Sequence, residues 1–190
     1  MFYVYLLFFL VGAALWTLGE YLMHRFVGHG VGLKVRFAKE HKTHHARPGY
    51  FTPVFAKIWM SLMVLVPLYG LFSLVFGLGY GTALIAGFTA SYVWYEWVHY
   101  SLHAFAPMTT FGHALRKHHF CHHFHNGRKN HGVTFPIFDH LFGTFITPPG
   151  QLLVPRGFEM KWLVDPSTGA VKPQYQQDYA LRQPRKRATS

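Results

Sequence analysis

Two long stretches of the chain carry no charged side chain: residues 1–19 and residues 58–95. A helix needs about 20 mostly apolar residues to cross a bilayer. The first stretch therefore predicts one spanning helix. The second is long enough for two, with a turn at Gly77, Gly79 and Gly81. We predict spans at 2–22, 55–76 and 80–100. The first is interpreted as retained, because no basic residue precedes it and no small-residue cleavage site follows it.

The composition fits one compact membrane unit, since 51% of the 190 residues are hydrophobic and 13% are charged. All 18 Lys and Arg lie in 25–57 or 116–187. The positive-inside rule then predicts that the loop after the first span, and everything after the third, faces the cytoplasm. Anionic lipid headgroups, rather than nucleic acid, explain the net charge of +11. The single cysteine, Cys121, excludes an intrachain disulfide.

Histidine is the unusual residue of this chain, which has 15 of them and none in 46–98. Ten follow one order twice, a pair and then a triplet with the spacing H-x-x-H-H. They are His24 and His29, then His41, His44 and His45, then His99 and His103, and finally His119, His122 and His123. Residues three and four apart share a helix face, so each triplet and the second pair can converge. His24 and His29 are five apart, which places one of them past a helix end.

This arrangement predicts a metal site with two ions. Ten imidazoles exceed the about four to six ligands that one metal ion takes. The predicted topology brings both histidine-rich stretches to the same side of the membrane, where two ions can share the ten nitrogens and keep room for water or dioxygen.

Three carboxylates are candidates for supporting these histidines. Glu20 lies four residues before His24, Glu40 four before His44, and Glu96 three before His99. Each is predicted to accept a hydrogen bond from the outer nitrogen of its histidine and so to fix the ring's tautomer. For Glu40 a plain solvated charge is the alternative. Among the other histidines, His118 could replace His119 in register. His113, His125, His131 and His140 are predicted to lie outside the ligand set.

These segments resemble the membrane fatty acid hydroxylase/sterol desaturase superfamily, over nearly the whole chain. The segments that carry the resemblance are 20–29, 40–45, 99–103 and 115–124, and residues 132–144 resemble the segment that closes the family's catalytic domain. The Leu-Arg-Lys-x-His-x-x-His-His-Phe pattern and the Gly-Val-Thr sequence look closer to fatty acid hydroxylases than to sterol enzymes.

The predicted spans and charges describe an all-α integral membrane protein in which about three transmembrane helices carry a cytoplasmic helical cap, whereas longer members of the family have four spans. The resemblance implies two iron ions held by the ten histidines, which would use dioxygen and two electrons to oxidise unactivated lipid carbons. Zinc could replace iron in purified material. The chain is short and lacks the cytochrome b5-like domain that some relatives carry. We therefore expect electrons from a separate protein, such as a cytochrome b5-like protein or a ferredoxin.

Several alternatives stay open at this point. The same centre could desaturate instead of hydroxylate, or act on a sterol or carotenoid. A metal carrier, a haem cytochrome and a zinc hydrolase are less consistent with the pattern: the spans have almost no ionisable groups, a haem does not need H-x-x-H-H, and no H-E-x-x-H is present. We expect a catalytic domain over 1–150 and an irregular, basic cytoplasmic tail over 151–190, disordered at 182–187.

Overall fold

The computed structural model describes residues 1–182, and most of these residues are helical. The helices are α1 (Phe2–Leu22), α2 (Arg36–Ala46), α3 (Val54–Phe76), α4 (Leu78–Ala104), α5 (Thr110–Phe124) and α6 (Ile137–Leu141). A π-helical turn, Met23–Gly28, continues α1. Two short strands, β1 (Leu152–Pro155) and β2 (Tyr179–Arg182), pair in parallel, and a 3-10 turn, Pro173–Tyr175, precedes β2.

Helices α1 and α4 pack against each other almost backbone to backbone. A Cβ atom added at Gly87 of α4 would lie 1.9 Å from the carbonyl oxygen of Phe9, and one at Gly12 of α1 would lie 1.9 Å from that of Leu84. Small residues that allow helices to approach this closely are typical of membrane bundles. The contact fixes α1 against α4, and these two helices bring the first pair of histidines towards the second.

This close contact gives a first testable prediction. We expect Gly87→Ala to lower the free energy of unfolding in detergent by about 1–3 kcal/mol, because the new methyl group overlaps the α1 backbone. Gly70→Ala is the matched control, since nothing lies within 4 Å of the added Cβ on α3. Chemical unfolding followed by circular dichroism measures both variants. Equal stability of the two would contradict the packing described here.

In the part of the chain that the structure describes, two helices have the length and apolarity to cross a membrane, Phe2–Gly28 and Val54–Phe76. Their side chains are largely exposed, as in Trp59 (63%) and Leu71 (53%), which is the condition of lipid-facing helices. These features describe an integral membrane protein. Within the described residues α4 does not meet the same criterion, because its glycine, threonine, serine and tyrosine residues lower its mean hydropathy. The turn predicted between the second and third helices is present at Gly77, whose φ of 81° favours glycine.

The segment after residue 150 is folded, which corrects the prediction of an irregular tail. Its residues 152–182 form β1 and β2 and bury Leu152, Leu163 and Tyr179 against Phe120 of α5. The sequence signal was weak because each strand has only four residues and prolines interrupt the segment. Of the residues predicted to be disordered, 182–187, Arg182 is the last residue of β2, and the others lie outside the described residues.

Candidate metal centre

The π-helical turn after α1 explains why His24 and His29 act together although they are five residues apart. In this turn the backbone N–H of His29 donates to the carbonyl of His24 at 3.2 Å. Each turn therefore contains one more residue than in an α-helix, and residues five apart share a face. Gly28 allows the ring of His41 to approach, because a Cβ there would lie 2.8 Å from that ring.

The ten histidines form two groups of five. In each group, one ring nitrogen from every member lies within 4.8 Å of the others. Group one consists of His24, His29, His41, His45 and His122. Group two consists of His44, His99, His103, His119 and His123. The two histidines of each pair belong to the same group, but each triplet is divided between the groups. On α2, His44 belongs to group two, and His41 and His45 belong to group one.

Group one converges on the Nε2 atom of His122. This atom lies 2.9 Å from Nε2 of His29, 3.0 Å from Nε2 of His24 and 3.1 Å from Nε2 of His45. His41 completes the group, with its Nε2 2.9 Å from that of His29. One ring nitrogen carries at most one hydrogen, so His122 cannot satisfy three such neighbours by donating hydrogen bonds.

In each ring, the bond of the Nδ1 atom, which faces away from the group, shows whether the Nε2 atom, which faces into the group, carries a hydrogen or a lone pair. The Nδ1 atom of His122 lies 2.7 Å from the carbonyl oxygen of Lys129, and that of His24 lies 2.5 Å from the carbonyl oxygen of His131. A carbonyl only accepts, so both Nδ1 atoms carry the hydrogen in the neutral rings. The two Nε2 atoms, 3.0 Å apart, then face each other with lone pairs. Only a cation between them makes this arrangement favourable.

Group two repeats this geometry from α2, α4 and α5. Nε2 of His44 lies 3.0 Å from Nε2 of His99, while its Nδ1 donates to the carbonyl of Tyr50 at 2.8 Å. Nε2 of His103 lies 2.9 Å from Nε2 of His119. Both ring nitrogens of His123 are buried without a hydrogen-bond partner among the described residues. A buried ring nitrogen without a hydrogen-bond partner destabilises the folded protein, unless it binds an ion.

The two groups touch each other. The ring of His45 in group one stacks on the ring of His123 in group two, with centroids 4.1 Å apart and planes 14° from parallel. Neighbouring residues thus belong to different groups, as do His44 and His45 on α2 and His122 and His123 on α5. The arrangement can hold two metal ions side by side.

Burial keeps these histidines neutral. It lowers the pKa of His29 and of His44 to about 4 and the pKa of His45 to about 2, and neighbouring imidazoles lower the last one further. Burial, followed by the neighbouring rings, also places the pKa of His122 and of His123 well below the ordinary histidine value. Neutral imidazole is the form that binds metals. Ten neutral nitrogen donors suit iron or zinc, so the residues present fit the metal ions that the resemblance implies.

The carboxylates do not contact the histidines as predicted. Glu20 accepts hydrogen bonds from the backbone N–H of Val133, at 2.5 Å, and from Thr134. Glu96 pairs with Lys57. Glu40 accepts from the hydroxyl of Tyr50 at 2.5 Å. The physical reason is that backbone carbonyls already occupy the outer nitrogens of His24 and His44, and sequence spacing does not reveal those carbonyls. Glu40 is linked to His44 only through Tyr50, whose hydroxyl donates to Glu40 and whose carbonyl accepts from His44.

Asp139 is a supporting residue that the sequence reasoning did not single out for this role. Its side chain is fully buried and accepts from the backbone N–H groups of His131 (2.8 Å) and Gly132 (2.7 Å) and from the hydroxyl of Thr144 (2.7 Å). These bonds shape the loop whose carbonyl orients His24. Burial raises the pKa of Asp139, but the contact with His118 and these three bonds together lower it below the ordinary value. Its position inside segment 132–144 was the available signal.

The remaining histidines lie outside both groups. His118 points to Asp139, 3.3 Å away, so His119 and not His118 joins group two. His113 lies 3.0 Å from Asp178, His140 stacks on Phe145 and His125 is exposed at the end of α5. His131 contributes its carbonyl rather than a converging nitrogen.

A cavity of about 580 Å³ opens beside the two groups, between α1, α3 and α4, with α2 as its roof. Its polarity changes along each wall. On α3 the lining runs from Lys57 through Ser61 to Leu68, and on α4 from His99 to Phe88. One end of the cavity is therefore polar and touches the histidines, and the other end is apolar and lies among the spanning helices. This shape suits a lipid.

The fold and the site define a class of protein: a helical membrane protein with two adjoining histidine groups, each able to hold a metal ion, beside an amphipathic cavity. The model of the fatty acid hydroxylase family matches residues 9–144. The chain therefore belongs to the fatty acid hydroxylase family, as the resemblance predicted.

Individual relatives agree with this assignment. The dihydroceramide fatty acyl 2-hydroxylase FAH2 of Arabidopsis thaliana is 34% identical over 139 residues, which cover 70% of this chain and 58% of that protein. The fatty acid 2-hydroxylase of Homo sapiens is 32% identical over 152 residues, covering 74% of this chain and 39% of that protein. The chain thus spans from about two fifths to three fifths of the length of these relatives.

One solved structure is similar in fold. It is described as full-length scs7p with only the hydroxylase domain visible, and it superposes with a TM-score of 0.63 at 27% sequence identity. The match covers 80% of this chain and 60% of that one.

Proposed function

We propose that this protein hydroxylates a lipid acyl chain with dioxygen at a centre of two iron ions. The observation that carries the proposal is the convergence of imidazole lone pairs in two adjoining groups, at the polar end of a lipid-shaped cavity. Hydroxylases and desaturases can share such a centre, and the relatives named as 2-hydroxylases favour hydroxylation here.

The roles of the residues follow from their positions. Group one would hold one iron ion and group two the other, through the ten histidines given above. Bound iron supplies the redox chemistry with dioxygen that amino-acid side chains lack. The carbonyls of Tyr50, Lys129 and His131 fix the ring orientations of His44, His122 and His24. Zinc would occupy the same nitrogens in material purified without iron.

The substrate is proposed from the cavity. An acyl chain fits the apolar end near Leu68 and Phe88, and a polar lipid head fits the end near Lys57 and Glu96. Because the polar end touches His99, the carbon presented to the centre lies close to the head of the lipid. This agrees with the position 2 in the names of the relatives, and a sterol or carotenoid is the second candidate.

The membrane arrangement is also a proposal. We place α4 as a third span, because it packs along α1 and follows α3 directly. The basic loop after α1 and the chain beyond α4 then face the cytoplasm and cap the bundle with the metal centre. Residues 1–150 form the catalytic domain in this view, because they contain all ten histidines, and residues 151–190 form an appended segment.

Oxidation of a lipid carbon with dioxygen at such a centre also requires two electrons. We propose a separate electron-transfer protein, such as a cytochrome b5-like protein or a ferredoxin.

The cavity can be tested by shortening it. Leu68 lines the cavity about 16 Å farther along α3 than Lys57. We expect Leu68→Trp to reduce hydroxylation of the longest acyl chains by about tenfold or more, while shorter chains still react, because chain length must match the apolar pocket. Leu71→Trp, at a position 53% exposed on the same helix, is the control. Lipid mass spectrometry resolves the chain lengths of the products. An unchanged length profile would contradict the proposal that the acyl chain occupies this cavity.

The proposed activity is tested by expressing the chain in cells that lack related enzymes, with a suitable reductase supplied. Mass spectrometry of the membrane lipids should show acyl chains with one added oxygen atom. Loss of two hydrogens instead would make the protein a desaturase. Unchanged lipids, with iron confirmed in the purified protein, would count against lipid oxidation and favour a metal carrier.

A further inference from the structure

The last turn of α4 is closed by two side chains from outside that helix. The guanidinium group of Arg116, on α5, donates to the carbonyls of Leu102 (2.8 Å), Phe105 (2.8 Å) and Ser101 (3.2 Å). The indole Nε1–H of Trp162 donates to the carbonyl of His103 at 3.0 Å. The carbonyls at a helix C-terminus have no partners within the helix, and a cation there also stabilises the helix dipole.

These two side chains are themselves held together. The guanidinium carbon of Arg116 lies 5.1 Å from the centre of the Trp162 ring, a cation–π contact. Both residues are almost completely buried, with exposures of 3% and 8%. Tyr175 and Tyr179 pack edge-on against the indole, and Phe120 of α5 stacks parallel to it. The indole therefore has one well-defined position.

Trp162 belongs to the folded segment 152–182, which lies beyond the residues that match the family model. The segment is fastened to α5, where Lys117 donates to Asp178 at 2.8 Å and also to the carbonyl of Gly150, just before the segment, at 3.0 Å. Its contacts reach the end of α4 and the α5 face next to His119. Group one is held differently, by the carbonyls of Lys129 and His131.

We propose that the segment 152–182 positions group two, and only group two, through Trp162 and Arg116. His103 has its backbone fixed by Trp162, and its Nε2 lies 2.9 Å from that of His119, three residues after Arg116. Trp162 and Arg116 thus set the distance between His103 on α4 and His119 on α5. Trp162 and Arg116 are positioning residues, which contact the backbone at the end of α4 and contribute no nitrogen to the metal site. The inference rests on the proposed metal centre.

The test is metal release from the full-length protein in detergent. The protein is loaded with Zn²⁺, which is redox-inert, and challenged with a chelator while the metal content is followed over time. Trp162→Phe keeps the packing ring and removes the indole N–H. We expect about half of the metal to leave roughly tenfold faster, in line with the effect of removing an outer partner of a metal ligand. The other half should leave at the wild-type rate. Trp59→Phe, at a position 63% exposed on α3, is the control and should change neither phase.

Two histidine variants assign the phases. In a His45→Ala background, which weakens group one, Trp162→Phe should accelerate release of the metal that remains. In a His123→Ala background, which weakens group two, it should have no effect. Arg116→Lys, which keeps the charge but cannot reach three carbonyls, should repeat the selective effect.

Unchanged release, or equal acceleration of both phases, would overturn the inference while leaving the metal centre intact. A wild-type protein that binds no Zn²⁺ or iron would instead overturn the proposed centre, and the inference with it.

Discussion

Replacement of His44 by alanine is expected to lower the yield of hydroxylated lipid by more than about a hundredfold, since removing only an outer partner of a metal ligand costs about 10–100-fold. His44 is buried, its Nε2 lies 3.0 Å from that of His99, and its Nδ1 is fixed by Tyr50. The variant should retain close to one metal ion per chain, because group one keeps all five of its histidines. Metal analysis of the purified protein and lipid mass spectrometry of the expressing cells measure the two effects.

His125→Ala is the matched control for this experiment. His125 is an exposed histidine at the end of α5, only two residues from His123, and it belongs to neither group. It should leave both the lipid product and the metal content at the wild-type level. If both variants were equally active, or if His44→Ala kept both metal ions, the assignment of His44 to group two would be wrong.

Asp139→Asn is expected to have the largest effect on stability, lowering the free energy of unfolding by about 3 kcal/mol or more. The carboxylate accepts four hydrogen bonds in a fully buried position. An amide has only one acceptor oxygen, so its NH₂ group would face either the N–H of His131 or that of Gly132, depending on the orientation of the amide. The loop should then loosen, and with it the His131 carbonyl that orients His24. Unfolding in detergent, together with the metal content of group one, measures this.

Asp165→Asn provides the comparison. Asp165 accepts from the backbone N–H of Ser167 in an exposed turn, a position in which asparagine is an ordinary replacement. We expect it to unfold like the wild type. If Asp139→Asn behaved in the same way, the buried network would not be what holds the loop.

The sequence predicts the positions of the helices and the ten converging histidines because both depend on spacing alone. Charge-free length locates α1 and α3, and Gly77 marks the turn before α4. The steps of three and four residues locate His99 and His103. The family follows from the same segments, and the match over residues 9–144 confirms it.

What spacing does not reveal is how the groups are completed. One helix face is wide enough to serve two sites, so nothing in H-x-x-H-H indicates that His44 separates from His41 and His45. The Nδ1 atoms of three of the ten histidines donate to the backbone carbonyls of Tyr50, Lys129 and His131. Every residue type has such a carbonyl, so the sequence does not mark these positions. Carboxylates at helical spacing were therefore chosen wrongly as those partners.

The C-terminal segment illustrates a second limit. Strands of four residues, separated by prolines, do not produce a periodic pattern. The segment is ordered by long-range burial, through contacts such as those of Leu163 and Tyr179 with the α5 side chains.

The most direct test of the central claim is hydroxylation under isotopically heavy dioxygen. Membranes that contain the iron-loaded protein and a reductase are supplied with this gas, and the lipids are analysed by mass spectrometry. If the histidine centre oxidises the lipid, the acyl chains should carry the heavy oxygen atom close to the lipid head, and His44→Ala should give no such product. Unlabelled hydroxyl groups, or identical products from the wild type and the variant, would contradict oxidation at the histidine centre.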